Sequence, residues 1–466
     1  MNKKEFSCVI SKALDTMKYG YDDIKIRAKL YRLCETIMNK SEDIEELISI
    51  LAGSKAEGVS FAEDPDSDTD FMLVKKQCIC CDNLHPYDNG PEKMILLTVR
   101  DNTAPGYTKL KCKGSDMDKI TNIMPDLIIQ NVEGQNFVGH LLDTSNFNDS
   151  DDDDNDDDYE NSFIVSGPAF TAACSVSNDN ANSFICPIIS FSWDFALAVE
   201  FTCTDHLQKW KERKRFNSWP GKDLIEEISQ MTGHVVPVGN KGRESAHLEW
   251  RITYTEAELK LIHSLNEIQI KLYILLRMVA KKILKPICAE ISSYIMKNVL
   301  FWFVERSPSY RFQHEHLIGI LHLALRSLQR CIHRKRLSNY MIPERNMFAR
   351  RFSDVIKVQL VEELHKLLYV QGLPFVLGQD EFGPLSVAVK HVMLFSKREH
   401  SEVSQSASNL SINTQQLLQE MFEKANEMQN QIKTTGALLP VLNNDPVRFE
   451  DSVTRATSPS SKVIGG

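Results

Sequence analysis

The chain has 466 residues, with 54 Lys+Arg against 63 Asp+Glu, for a formal charge of −9. Its 42% hydrophobic and 25% charged content is ordinary for a soluble globular protein, and the length allows two or three domains with a sizeable core. Collagen, global disorder and a disulfide mini-scaffold are excluded. The acid excess is local: Asp149–Glu160 (DSDDDDNDDDYE) holds eight Asp, one Glu and no basic residue, and the remaining chain balances at 54 against 54.

Eleven cysteines, an odd number, follow a start (MNKKEFSCVI) without an apolar core of secretory length. Free thiols in a reducing compartment are expected, with a cytoplasmic location, or a nuclear one as alternative. The most apolar run, VLFWFV at 299–304, is much shorter than the roughly 20 residues that span a bilayer, so no membrane partner is expected.

In chain order, residues 1–50 read as helix. Tyr21–Lys40 places Ile24, Ile26, Leu30, Leu33, Cys34 and Ile37 near a 3.6 period. Ser41 then starts S-E-D-I-E-E-L, a cap-like opening of a second helix running through Leu47, Ile48, Ile50 and Leu51 to Gly53. Asp70–Val74 reads as a strand after a turn, and residues 76–147 as strands, loops and a long insertion. The acid run is expected to be disordered, since like charges repel and nothing apolar is present to bury. CPIISFSWDFALAVEF (186–201) reads as a strand, and Ala257–Leu368 as successive helices. After about Ser396 the composition turns to Ser, Gln, Asn and Glu, with one amphipathic helix near Leu417–Met428. An α+β, two-lobed chain is expected. Residues 1–205 form a sheet lobe with the acidic insert at 148–160, residues 206–395 a helical lobe, and residues 396–466 a flexible tail.

From Asp205 to Val370 the chain carries 28 Lys+Arg against 17 Asp+Glu. Two clusters dominate: Lys209, Lys211, Arg213, Lys214 and Arg215, then Arg330, Arg334, Lys335 and Arg336. Such density is either a polyanion-binding face or a set of solvated helix faces.

Three pieces carry chemistry: Gly53-Ser54 after a helix, Asp68-Thr69-Asp70 opening a strand, and Asp194 within a later strand. Strand side chains alternate, so Asp68 and Asp70 share a face. Carboxylates so placed repel unless a cation lies between them, and Mg2+ joins such carboxylates to substrate phosphates. Gly53 allows close approach of backbone to a phosphate, and Ser54 offers a hydroxyl and an amide. Singly, each also fits a plain turn or, for Asp194, a structural ion pair. Cys78, Cys80 and Cys81 with His85 could suggest zinc, but the spacing is tighter than usual and free thiols are expected.

In order, these motifs resemble the nucleotidyltransferase signature of cyclic GMP-AMP synthase and its relatives. Downstream, SFSWDFALAVEF (190–201), Trp219-Pro220, Val235-Val236-Pro237, Glu249–Thr255 (EWRITYT) and Ser292-Ser293-Tyr294 resemble further family motifs. The resemblance covers roughly residues 25–370. It is to the male abnormal twenty-one-type fold, in the branch of animal cyclic GMP-AMP synthase-like receptors. It implies a bilobed nucleotidyltransferase making a cyclic dinucleotide of the cyclic GMP-AMP type, as an innate immune sensor. Asp68, Asp70 and Asp194 would hold Mg2+, with Mn2+ the alternative. Ser54 would bind triphosphate and Arg251 a base or phosphate, with Thr253 and Thr255 in place of the family's serines. Arg277 stands for a lysine near the phosphates, and Ser293 and Tyr294 would hold phosphate and stack on a base. The substrates would be ATP and GTP or another nucleoside triphosphate. Glu256 runs straight into AELKLIHSLNEIQIKLY, without the His/Cys zinc insertion of the vertebrate enzyme. No zinc is therefore expected, and double-stranded RNA rather than double-stranded DNA is the expected activator. The alternatives are a non-catalytic nucleic-acid-binding or scaffold member of the same fold, and an enzyme that extends RNA ends.

Overall fold

The computed structural model describes residues 2–40, 46–60, 69–82, 93–124, 127–140, 163–166, 169–177, 188–203 and 205–398. The acid run, the tail from 399, Asp68 and His85 lie outside the described residues.

Helix α1 (Lys3–Thr16) opens with a reciprocal cap, Asn2 accepting from the Glu5 amide while Glu5 accepts from the Asn2 amide. Helix α2 (Tyr21–Met38) follows, as its period predicts. The next element corrects an expectation. Leu47–Leu51 is a strand, β1, and not the continuation of a helix. A five-residue apolar run fits either period, and here long-range pairing decides. β1 runs antiparallel to β2 (Thr69–Cys81), with Leu51 opposite Phe71. Leu47 and Leu51 pack with Phe71, Leu73, Phe195 and Met38, while Ile50 packs on the other face with Met72, Val74, Ala198 and Val236. Between β1 and β2, Gly53–Ala56 makes one helical turn, α3.

The sheet continues through β3 (Met94–Val99) and β4 (Tyr107–Cys112). After α4 (Met117–Ile123) come the hairpin strands β5 (Leu127–Val132) and β6 (Gln135–His140). Strands β7 (Phe163–Ser166) and β8 (Ala169–Ser177) lead to the long β9 (Ile188–Phe201). Helices α5 (Asp205–Glu212) and α6 (Lys222–Ser229) intervene before β10 (Gly233–Val236) and β11 (Glu249–Thr253).

The strand order is β1-β2-β3-β4-β11-β10-β9-β8-β7, and β2 also pairs β9. β2 is long enough to serve two partners. Its first half runs parallel to β9, and its second half adds β3 in parallel. Six strands, β2-β3-β4-β11-β10-β9, therefore close on themselves. The lobe boundary expected at 205 cuts this sheet, because β10 and β11 complete it.

The helical side comprises α7 (Thr255–His263), α8 (Glu267–Val279), α9 (Ser293–Arg306), α10 (Leu317–His333), α11 (Asp354–His365), α12 (Leu373–Leu377) and α13 (Pro384–Arg398). Helix α8 is apolar nearly all round, as a central helix must be. Its one fully buried lysine, Lys271, is matched by Asp15 and Glu267, each at 2.6 Å. Asp15 belongs to α1, which packs on α8, α10 and α13 rather than on the sheet. Among the described residues no helix is long and apolar enough to cross a membrane.

Candidate functional site

The site is built where β2 and β9 begin to run side by side. Asp70 and Asp194 are register partners on these parallel strands, so their Cα atoms lie about 4.8 Å apart and both carboxylates take the same face. Both are partly buried. The structure brings Asp70 and Asp194 together from separate segments, and Asp68 falls just before the described start of β2.

Gly53 closes over the carboxylate. Its φ of +65° lies in the left-handed region, and any Cβ there would run into the Asp70 Oδ2 atom. The turn is tied down by the Ala52 amide, which donates to the Asp70 carbonyl at 2.8 Å, and by Lys55, whose Nζ donates to Thr69 Oγ1 at 2.6 Å. Ser54 follows on the same turn. Asp70 and Asp194 form an all-oxygen donor pair under a backbone turn, which suits a hard divalent cation.

Cross-strand partners share a face, so the register extends the site. Val235 is opposite Val199, His234 opposite Glu200, and Val236 opposite Arg251. Arg251 is in turn opposite Tyr107 on β4. Asp194, Ala198, Val236, Arg251 and Tyr107 thus lie on one side of the sheet. Arg251 is aimed by its neighbours: Trp250 is fully buried and donates from Nε1 to the Val138 carbonyl at 2.8 Å, while Glu249 is clamped by Arg243 and the Asn240 amide. Burial, then the charge of Arg345, holds the Arg251 guanidinium below the usual arginine range. Thr253 shares the Arg251 face, and its hydroxyl meets that of Thr255 at 3.0 Å.

Ser293 is exposed at the start of α9. Tyr294, beside it, donates to Glu258 at 2.8 Å and accepts from Asn339 at 3.0 Å. Burial, then the Glu258 charge, pushes its phenol up to about 12. Arg277 turns to the segment that follows the Gly53 turn. It is buried in α8 and donates to the Val59 carbonyl, bracing the chain that leaves the Gly53 turn.

A signal that the sequence did not mark is the ion network linking these parts. Lys297 on α9 bridges Glu57, just after α3, and Glu258 on α7. Tyr273 donates to Glu57 at 3.0 Å. Burial opposes the charge on Lys297, but Glu57 and Glu258 outweigh it and hold the ammonium well above its usual range. Nothing local marks Glu57 or Lys297, since their partners are distant in sequence.

The basic clusters divide. Lys209, Lys214, Arg330, Arg334 and Arg336 are exposed, while Lys211 and Lys335 are partly so and pair with Glu226 and Asp354. Arg213 and Arg215 correct the expected face: both turn inward onto Glu305, which is 6% exposed, at 2.7 and 3.2 Å. Their guanidinium planes also lie against Trp302, Tyr340 and Trp210. Alternation along a loop gave no sign of that buried carboxylate.

Cys8, Cys34, Cys78, Cys80, Cys81, Cys112, Cys203, Cys288 and Cys331 are free thiols. Cys78, Cys80 and Cys81 are buried in β2, and burial pushes the Cys78 thiol up to about 12. One other cluster, Asp82, Cys203 and Asp205, could hold a metal by spacing. Arg100 already sits in it, 2.7 Å from the Cys203 sulfur and 3.1 Å from Asp82, so it is an ion-pair node.

Residues 91–264 match the family described as the Mab-21 protein nucleotidyltransferase domain, and residues 268–369 match the Mab-21 protein HhH/H2TH-like domain. Asp194, Arg251, Thr253 and Thr255 fall within the first match. Arg277, Ser293 and Tyr294 fall within the second, and the Gly53 turn and Asp70 lie upstream of both.

Proposed function

The chain belongs to the Mab-21 family, a nucleotidyltransferase domain followed by an HhH/H2TH-like domain, and from that premise we propose that it is an active nucleotidyltransferase which joins two nucleoside triphosphates into a cyclic dinucleotide of the cyclic GMP-AMP type. The observation that carries this reading is the register of Asp70 on Asp194 beneath the Gly53 turn. A fold kept only as a scaffold has no need to hold two acids side by side against a glycine that admits no side chain.

Asp70 and Asp194, with Asp68, would hold Mg2+ or Mn2+. Such a cation polarises the α-phosphate and acidifies the attacking ribose hydroxyl. The chain's own groups do the rest. The Gly53-Ser54 turn brings backbone amides and a hydroxyl to the donor phosphates, with Lys55 beside them. Arg251 and Tyr294 would line the part of the cleft that receives the second nucleotide. The hydroxyl of one nucleotide attacks the α-phosphate of the other in line and pyrophosphate leaves. The linear product then re-enters the same cleft, its free ribose hydroxyl attacks its own remaining α-phosphate, and a second pyrophosphate leaves as the ring closes. Double-stranded RNA, held through its backbone on the exposed Lys209, Lys214, Arg330, Arg334 and Arg336, would be the activator, favouring the aligned state of the cleft.

The test incubates the full chain with labelled ATP and GTP, Mg2+, and double-stranded RNA or DNA, and identifies products chromatographically. A cyclic product that depends on RNA and falls at least 1000-fold in Asp194→Asn is expected. Binding of RNA with no turnover under any ligand would favour the non-catalytic reading, and extension of RNA ends without cyclisation would favour the end-adding one.

A further inference from the structure

Two guanidinium groups, those of Arg251 and Arg345, come together at Tyr107 with no carboxylate paired to either among the described residues. Arg251 projects from β11 opposite Tyr107. Arg345, from the segment between α10 and α11, reaches the same ring from the helical side, with its guanidinium carbon 5.3 Å from the Tyr107 centroid. Its stem lies on Gly106, whose φ is +81° and whose missing Cβ would stand 2.7 Å from the Arg345 Cδ. The chain thus leaves out a side chain to admit this arginine, and Arg345 ends up only 6% exposed.

Among the described residues neither Arg251 nor Arg345 makes an ion pair. The carboxylates of the surrounding elements are taken: Glu258 by Lys297 and Tyr294, Glu290 by Lys241 and Arg351, Glu249 by Arg243. Arg351 adds its field to the same place, as the depressed Arg251 guanidinium registers. Like charges withdrawn from water cost stability unless an anion joins them. Forked guanidinium donors select phosphate or carboxylate oxygens.

The position says which phosphate. From Asp194 to Ala198 is four residues along β9, roughly 13 Å, and β11 lies two strands over, roughly 10 Å. The pair therefore stands about 16 Å from the carboxylates that would serve the donor's reacting phosphates. In the first condensation the donor loses pyrophosphate, but the acceptor keeps its own triphosphate, and that charge must be met away from the first site. We infer that Arg251 and Arg345 form an anion subsite that holds the polyphosphate of the second, acceptor nucleotide. Tyr107 and Tyr294 flank it. The assignment deepens the nucleotidyltransferase reading and rests on it for the identity of the ligand, though not for the existence of an anion site.

The experiment uses the full chain carrying Asp194→Asn, in EDTA, so that neither metal-held phosphate nor turnover contributes. Calorimetric titration compares sodium tripolyphosphate, GTP, ATP and guanosine. Tripolyphosphate and both nucleotides bind, and guanosine binds at least 10-fold more weakly. Arg345→Met weakens tripolyphosphate 10- to 100-fold and leaves the melting temperature of the free protein equal or higher, because a like charge has gone. Arg345→Lys keeps the charge without the fork and gives an intermediate loss. The inference is overturned if tripolyphosphate does not bind, if both Arg345 variants bind it as the parent does, if guanosine matches GTP, or if Arg345→Met lowers the melting temperature as much as it weakens binding. Product formation by the unsubstituted chain without a tripolyphosphate site would sink the subsite alone. Arg345-dependent binding in a chain that makes no product would sink the catalytic reading alone.

Discussion

Gly53 shows how much one position can dictate. A methyl group there must both occupy φ +65° and displace the Asp70 carboxylate. Gly53→Ala should cost about 1–2 kcal/mol of stability from the backbone alone, read by urea unfolding. Nucleotide turnover, followed as pyrophosphate release, should fall at least 100-fold. Turnover close to the parent's would mean that Asp70 has no need of its present position. His234 gives a pH signature. It is buried on β10, and burial lowers its pKa to about 4, partly offset by Glu200. Between about 6.5 and 4 the unfolded chain therefore takes up a proton that the folded one refuses. Stability is full above about 6.5 and declines as pH falls through that window, by roughly 3 kcal/mol for this residue. Replacing His234 with Gln should flatten part of the decline between pH 7 and 5 in denaturant midpoints. An unchanged slope would place the proton uptake elsewhere. Of the two, only Gly53 had a legible purpose in the sequence, because the nearby Asp70 carries a motif. The neutral state of His234 depends on packing by strands that the sequence does not juxtapose.

At the scale of elements, the decisive contacts are between pieces far apart in the chain. Lys297 joins α9 to α7 and to the chain leaving α3, against two carboxylates less than a tenth exposed. Lys297→Met strands both acids, and unfolding should become easier by about 3–5 kcal/mol. Adding Glu57→Gln and Glu258→Gln should return more than half of the loss in the same urea titration. If the triple variant is no better than the single one, the lysine acts by packing and not by charge. The same logic explains which elements were legible. β2, β9 and the helices from Thr255 onward carry long patterns with one period, and they form where expected. LISIL is short and apolar throughout, so its state was set by β2 as partner, and the helical reading failed. Asp70 and Asp194 were legible together because both stand in strand-like segments whose motifs resemble one family signature, while strand alternation spoke only to Asp68 and Asp70. Arg345 and Tyr107 were not, because neither sits in a pattern and their meeting depends on how the helical side folds back on the sheet.

Over the whole molecule, the basic excess of 205–370 separates into structural and surface charge. Arg215→Met should destabilise the chain by about 3 kcal/mol or more by leaving Glu305 short of a partner, with little change in RNA affinity per folded molecule. Lys209→Glu with Lys214→Glu should do the reverse, leaving the unfolding midpoint within about 0.5 kcal/mol while weakening RNA binding at least 10-fold in filter binding at low salt. If RNA affinity ignores the lysine pair, the polyanion face lies elsewhere.

Helix α1 has a further consequence during synthesis. It is made before α8, α10 and α13, which cover its apolar stripe of Phe6, Ile10, Ala13 and Leu14. At about 5–20 residues per second, roughly 20–80 s pass before α13 has been translated. Until then the nascent chain carries an amphipathic helix whose cover is incomplete. A chaperone that recognises exposed apolar helices would meet this one on the ribosome, and a late step of folding would be an early-made segment finding its place.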